Sequence, residues 1–260
     1  MHVDTNKCYK ILVPVDLDEG AVEGFFGELE IVLEDQPEEV LIDCSHLDHA
    51  TSGHIDLLWE AQTKCDESGS AMRLVSVRYG LERVLRVLDL YDLFTIVHDH
   101  VEVGAEADET GQGGVSLELE FKASMPDIND ALSRFHDFLV RLGVPGTVAF
   151  DLEIVFYEVA TNIRRHSGLT ETDVIAFSAT PEQEKISLRF ADSGEPFDPT
   201  SATIDFDPRK AIKSKQTNGI GLTMIQRLVD SMTYRRVGNS LNVVTLTKHL
   251  RQGGKRGVQD

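Results

Sequence analysis

The stretch Gly104-Ala-Glu-Ala-Asp-Glu-Thr-Gly-Gln-Gly-Gly114 constrains this chain more than any other, because it is acidic, rich in glycine and without apolar periodicity. Such a segment buries too little apolar surface to offset the entropy of ordering it, so it reads as a flexible linker. A chain of 260 residues exceeds the usual size of one domain, and its apolar content is ample for two cores. The expected organisation is a domain over 1–100, a linker over 101–114, a second domain over 115–250 and a basic, disordered tail over 251–260.

Charge follows the same division. Residues 1–113 carry 7 Lys/Arg against 25 Asp/Glu, a net of −18, while 114–260 carry 18 against 19, a net of −1. An acidic N-terminal half repels nucleic acid phosphate and anionic lipid, so direct nucleic acid binding is not expected; a basic protein partner would suit it. No apolar run approaches the roughly 20 residues of a membrane span, and the N-terminus lacks a signal-peptide pattern, so a chain that stays in the cytoplasm and off the membrane is expected. Cys8, Cys44 and Cys65 are odd in number, widely spaced and in no metal-ligand pattern, which fits reduced thiols. Cys44, closing an apolar strand, reads as plain core.

Before the linker, strand and helix patterns alternate: strands over 9–15, 39–44 and 71–77, helices over 21–33, 55–67 and 81–88. Alternation of this kind favours a sheet covered by helices. The expected fold class is α/β throughout, with a mixed N-terminal sheet flanked by helices and a two-layer α/β sandwich after the linker.

The second half carries the chemistry. Glu158, Asn162 and His166 recur every fourth residue, so a helix presents a carboxylate, an amide oxygen and an imidazole on one face. The first two are hard oxygen ligands that suit Mg²⁺. Asp192, after an apolar strand, can accept a hydrogen bond from an exocyclic amine such as adenine N6, and Gly194 beside it lets a flat base approach the backbone. Gly219-Ile-Gly221, opening a helix, leaves backbone N–H groups for phosphate. Taken singly these are a solvated helix face, a turn and a loop; their order and spacing on one chain set them apart.

Together these motifs resemble the nucleotide-binding domain shared by gyrase, Hsp90, sensor histidine kinases and MutL, and within it the anti-sigma-factor serine-kinase branch, over roughly 115–250. Phe135, Phe138, Leu139 and Leu142 resemble that family's first helix, and Val243 to Lys248 its closing strand. The resemblance implies ATP and Mg²⁺ as cofactors, Asn162 holding Mg²⁺, Asp192 and Gly194 binding adenine, Gly219 and Gly221 forming the phosphate turn, and Glu158 as general base. Arg209, Lys210, Lys213 and Lys215 fall where the family has its lid, and the resemblance implies that one of these cations, with Lys215 the candidate, would reach the γ-phosphate. Between the two glycines the family often has Arg, where this chain has Ile220. His136 falls inside this domain rather than on a preceding paired helix, so it is not a phospho-accepting histidine, and His166 reads as a structural member of its helix.

The first half, over roughly 7–99, resembles the domain shared by sulfate transporters and anti-anti-sigma factors, on Val40-Leu-Ile-Asp-Cys-Ser-His-Leu-Asp-His-Ala-Thr-Ser-Gly53 and Leu81 to Phe94. The family's phosphoacceptor hydroxyl precedes that glycine, which implies Ser52, with Thr51 beside it. Family acceptors commonly follow an Asp; Ala50 stands here, and helix capping is the competing role. The two resemblances imply a bacterial anti-sigma-type serine/threonine kinase with a fused anti-anti-sigma-like domain acting as regulator or substrate, with a sigma factor or an anti-anti-sigma-like protein as partner, and pairing of two copies through the ATP domain. The alternatives are an ATP-binding module that sequesters a partner without chemistry, and a switch kinase for a separate anti-anti-sigma-like protein.

Overall fold

The computed structural model describes residues 9–47, 50–97, 116–200, 207, 209–210, 219–238 and 240–250. The linker and tail expected over 101–114 and 251–260 lie outside them. The described residues form two compact units, one within Met1–Val103 and Asp205–Gly221, the other within Gly104–Ile204 and Leu222–Asp260.

In the first unit, β1 (Tyr9–Leu12), β2 (Glu39–Asp43), β3 (Ala71–Val75) and β4 (Ile96–Val97) form one sheet in that order. All described pairings are parallel, so the mixed pairing expected for this sheet is not seen among the described residues. Parallel neighbours need crossover connections, and these are α1 (Glu19–Glu34), α2 (Ser52–Ser68) and α3 (Tyr79–Val87). The starts of α1 and α2 precede the apolar periodicity because caps set them: the Asp18 side chain accepts from the Ala21 N–H at 2.8 Å, and Thr51 caps α2. Gly69 ends α2 in the left-handed region, at φ +80, a conformation that costs glycine little. Phe25, Leu29 and Val32 turn one stripe of α1 inward, and Val40, Ile42 and Leu74 supply the sheet's buried side. Cys44 and Cys65 are core residues; burial pushes their thiols up to about 12 and about 11.

The second unit has two layers. Its sheet, ordered β5-β6-β7-β9-β8, comprises β5 (Leu117–Lys122), β6 (Val174–Glu182), β7 (Lys185–Asp192), β8 (Ser231–Val237) and β9 (Leu241–His249), with every neighbouring pair antiparallel. The helices are α4 (Met125–Arg141), α5 (Gly146–His166) and, from Leu222 on, α6 (Ile220–Leu228). Strand residues alternate, so Ile175, Phe177 and Ala179 of β6 and Ile186, Leu188 and Phe190 of β7 are all buried. Phe156 of α5 anchors that layer: its ring centroid lies 5.7 Å from Phe121, 5.5 Å from Phe135, 4.8 Å from Phe177 and 5.4 Å from Phe190. A helix held by four aromatic contacts cannot rotate freely about its axis, so the rings fix which face of α5 meets the sheet. His136 of α4 sits 2.8 Å from the buried Glu153 of α5, inside this unit.

Truncating this ring cluster measures that anchor. Phe156→Ala is expected to lower the unfolding free energy by about 3–5 kcal/mol, read as a lower urea midpoint at unchanged slope.

Candidate functional site

α5 carries Glu158, Asn162 and His166 from the interior to the surface. Glu158 is fully buried, Asn162 half-buried and His166 exposed. Asn162 lines a small cleft between α5 and the sheet. From α5 come Val159, Asn162, Ile163 and Ser167; from the end of β7 and the loop after it Asp192, Phe197 and Pro199; α6, β8 and β9 add Ile225, Met232, Asn242 and Val244. The walls are therefore mostly apolar, with four polar side chains, those of Asn162, Ser167, Asp192 and Asn242, among them. His166 stacks on Phe197 at 5.2 Å and 23°.

Asp192 is buried at 4 % exposure and needs protein donors to replace water. Its Oδ1 accepts the Gly194 N–H at 2.9 Å and the Asn242 amide at 2.9 Å. Gly194 is required for a reason the sequence did not suggest. A Cβ on it would lie 2.3 Å from the Ser167 carbonyl oxygen, so the close approach is to the protein's own backbone at the end of α5. The same carbonyl accepts the Glu195 N–H at 2.7 Å, pinning the turn after β7 to the helix.

Gly219 leads into α6 at φ +108, a region that favours glycine, and Gly221 is the second residue of the helix. Ile220 between them is completely buried, so this position supplies core packing and not a cation. Lys213 and Lys215 lie outside the described residues. Arg209, within the first unit, forks onto Asp92 at 2.5 Å and meets Asp89 at 3.5 Å, while Lys210 lies 3.6 Å from Asp207. Acidic partners thus hold the described cations of the basic segment.

In the first unit, Thr51 and Ser52 are each only 8 % exposed. Thr51 and His54 form a capping box in which histidine takes the usual Glu or Gln position: His54 Nδ1 accepts the Thr51 N–H at 3.1 Å and lies 2.8 Å from the Thr51 hydroxyl. His54 Nε2 faces the Val15 carbonyl oxygen at 3.2 Å, so Nε2 carries the proton and Nδ1 is the acceptor. Burial pushes the imidazole down to about 4, outweighing the Val15 and Pro14 carbonyls and the Asp16 charge, and the ring is neutral near pH 7.

Residues 121–248 match the histidine kinase-like ATPase domain family, and residues 4–103 match the STAS domain family. The chain joins a STAS domain to a histidine kinase-like ATPase domain. It is similar to the serine/threonine-protein kinase BtrW of Bordetella bronchiseptica, 27% identical over 133 residues, which cover 50% of this chain and 92% of that protein. Among solved structures it is similar to the SiaB–SiaC complex from Pseudomonas aeruginosa, with 15% identity, TM-score 0.40, and coverage of 50% of this chain and 88% of that one. It is also similar to the RsbU and RsbW domains of Rv1364c from Mycobacterium tuberculosis, with 17% identity, TM-score 0.38, and coverage of 53% and 32%. No helix among the described residues is long and apolar enough to cross a membrane. Of the residues singled out by sequence, the structure brings Asn162 and Asp192 together in one cleft. Asn242 was missed, since one Asn in a strand carries no spacing signal.

Gly194→Ala is expected to cost about 1–3 kcal/mol of stability in chemical unfolding. Gly146→Ala, where a Cβ meets nothing within 4 Å, should be near neutral by comparison. His54 should make stability depend on pH. The unfolded chain binds a proton below the ordinary value of 6.5 while the folded chain resists until about 4, so stability falls as pH drops through that window. The stability advantage of wild type over the non-titrating His54→Gln should shrink by about 2 kcal/mol between pH 7 and pH 5, measured by urea unfolding at each pH.

Proposed function

We propose that this chain is an ATP-dependent serine/threonine protein kinase of the anti-sigma type. Its STAS domain takes part in partner switching that controls transcription in the cytoplasm, and the domain limits are 1–100 and 115–250, joined by 101–114. The observation that carries the reading is the placement of Asn162 and Asp192 on the walls of one cleft, with Glu158 a turn before Asn162 on α5. Similarity to a serine/threonine-protein kinase over the same half of the chain supports it.

In this reading adenine enters between the apolar walls and donates its N6–H to Asp192. Asn162 offers its oxygen to Mg²⁺. No group of three or more His, Cys, Asp or Glu side chains among the described residues could hold a metal alone, which fits an ion that takes one or two protein oxygens and completes its shell with phosphate and water. Mg²⁺ there would neutralise the charge that develops on the phosphates. Gly219 and Gly221 free the N–H groups of the α6 start for phosphate, and Lys215 meets the γ-phosphate. Glu158 accepts the proton of the attacking hydroxyl as its oxygen bonds to the γ-phosphorus and the bond to the β-phosphate oxygen breaks, with ADP leaving.

Thr51 and Ser52 are candidate acceptors in cis, but both are buried and the Thr51 hydroxyl is engaged as a helix cap, so neither is presented to a second active site. That observation favours an acceptor on a separate anti-anti-sigma-like protein, with the fused STAS domain as a docking or braking element and a sigma factor as the competing partner.

Intact-mass measurement of the full chain with Mg-ATP, alone and with a separate anti-anti-sigma-like protein, tests this. The added protein should gain one phosphoryl group. Glu158→Gln should lower the transfer rate by about 10²–10⁴ while leaving ATP affinity within a few-fold. Unchanged transfer in that variant removes Glu158 as the base, and an active phosphate on Ser52 or Thr51 in the chain alone returns the acceptor to cis.

A further inference from the structure

Asp192, Asn242 and Arg236 stand directly opposite one another across three adjacent strands. Asp192 of β7 pairs with Asn242 of β9, and Asn242 pairs with Arg236 of β8. Residues opposite one another in neighbouring strands share a face of the sheet. The side chains accordingly form a continuous rung. Arg236 Nη1 donates to Asn242 Oδ1 at 2.6 Å, and the Asn242 amide donates to Asp192 Oδ1 at 2.9 Å.

Asn242 is buried at 3 % exposure, and its hydrogen-bonding capacity is fully used. Its oxygen also accepts from the Tyr234 hydroxyl at 2.9 Å, and its NH₂ reaches the Glu195 carbonyl at 3.0 Å and, more weakly, the Gly194 carbonyl at 3.3 Å. The amide therefore has one allowed orientation: Arg236 and Tyr234 require an acceptor on one side, and the Asp192 carboxylate requires a donor on the other. Arg236 Nη1 also donates to the Gly194 carbonyl at 2.9 Å, so the rung grips the turn that carries the second donor to Asp192. Both donors to Asp192, the Gly194 N–H and the Asn242 amide, fall on Oδ1. Oδ2 has no protein partner among the described residues and is the oxygen left for a ligand in the cleft.

We propose that Asn242 is the positioning residue for base selection, fixing Asp192 so that the cleft accepts a 6-aminopurine and rejects a 6-oxopurine. This rests on the nucleotide reading given above. A carboxylate locked by one oxygen presents the other as a pure acceptor in a fixed direction, which pairs with an exocyclic amine and repels a carbonyl oxygen. Without the Asn242 donor the carboxylate turns, or recruits water, and the distinction between the two bases weakens. Arg236 and Tyr234 act one step further out, by holding the Asn242 oxygen.

The test is calorimetric titration of the full chain with Mg-ATP and with Mg-ITP, comparing wild type, Asn242→Ala and Asn242→Leu, with circular dichroism confirming the fold of each. Wild type should prefer ATP. Both variants should lose about tenfold of that preference, through weaker ATP binding at nearly constant ITP binding, because a charge-assisted hydrogen bond is lost for one base only. Asn242→Leu keeps nearly the same side-chain volume and removes the donor without adding a charge, so it carries the test if Asn242→Ala does not fold. Equal losses for both nucleotides, or an unchanged ratio, would show that Asn242 only packs. If wild type binds neither nucleotide, the reading of the cleft falls and the assignment falls with it; if wild type prefers ATP and the variants keep the preference, the assignment alone is overturned.

Discussion

A carboxylate taken out of water at Asp192 is the interaction around which the second unit is arranged. Leaving such a group buried and unpaired costs several kcal/mol, so the chain must bring donors to it from elsewhere. One comes from two residues ahead, the Gly194 N–H, and it requires a tight turn; the other comes from fifty residues ahead, the Asn242 amide, and it requires β9 to lie beside β7 in one register. The turn in turn needs a glycine, because the end of α5 occupies the space where a side chain would go. Strand register, turn and helix end are thus linked through a single side chain. That linkage explains why Asn162, one turn before the end of α5, meets the same cleft as Asp192.

The other constraint on the cleft is the rotation of α5. The aromatic rings around Phe156 direct that side of the helix to the sheet, and Glu158 and Asn162 follow from the 100° step per residue. Burial then grades their environments. Glu158 is inside, where a carboxylate depends on protein neighbours, while Asn162 is half-exposed. A shift of one residue in this helix would turn both side chains about 100° off that face, so the hydrophobic core, rather than any contact at the cleft, sets which face they share.

Much of this was legible in the sequence because it is local. The i, i+4, i+8 spacing placed Glu158, Asn162 and His166 on one face, and alternation of strand and helix gave the first unit its α/β character. Where local rules failed, a nonlocal contact had taken over. Asn242 follows no periodic pattern, and its meaning appears only when β7, β9 and β8 are laid in register. Gly194 was read as making room for a ligand, yet the space it leaves is filled by the Ser167 carbonyl. Ile220 stood where the family often has a cation, and its complete burial shows that the start of α6 has been committed to packing. In the first unit the helix began at Ser52 instead of Ile55, since a capping residue, not the first apolar one, sets the boundary.

Thr51 shows how two roles for one hydroxyl compete. As a cap it contributes about 1 kcal/mol to α2 and sits against a neutral, buried imidazole. As a phosphoacceptor it would have to leave that position, and the added dianion would gain from the helix N-terminus only about as much as the cap had supplied. The remaining term is His54. A phosphate within reach of its Nδ1 would favour the imidazolium that burial now disfavours, and the Nε2–H bond to Val15 would persist in either state. Modification at this helix start would therefore exchange a neutral cap for an ion pair without dismantling the contact to the β1 side. What opposes it is the opening needed to expose the hydroxyl, so access, rather than the stability of the product, would govern any transfer to this domain.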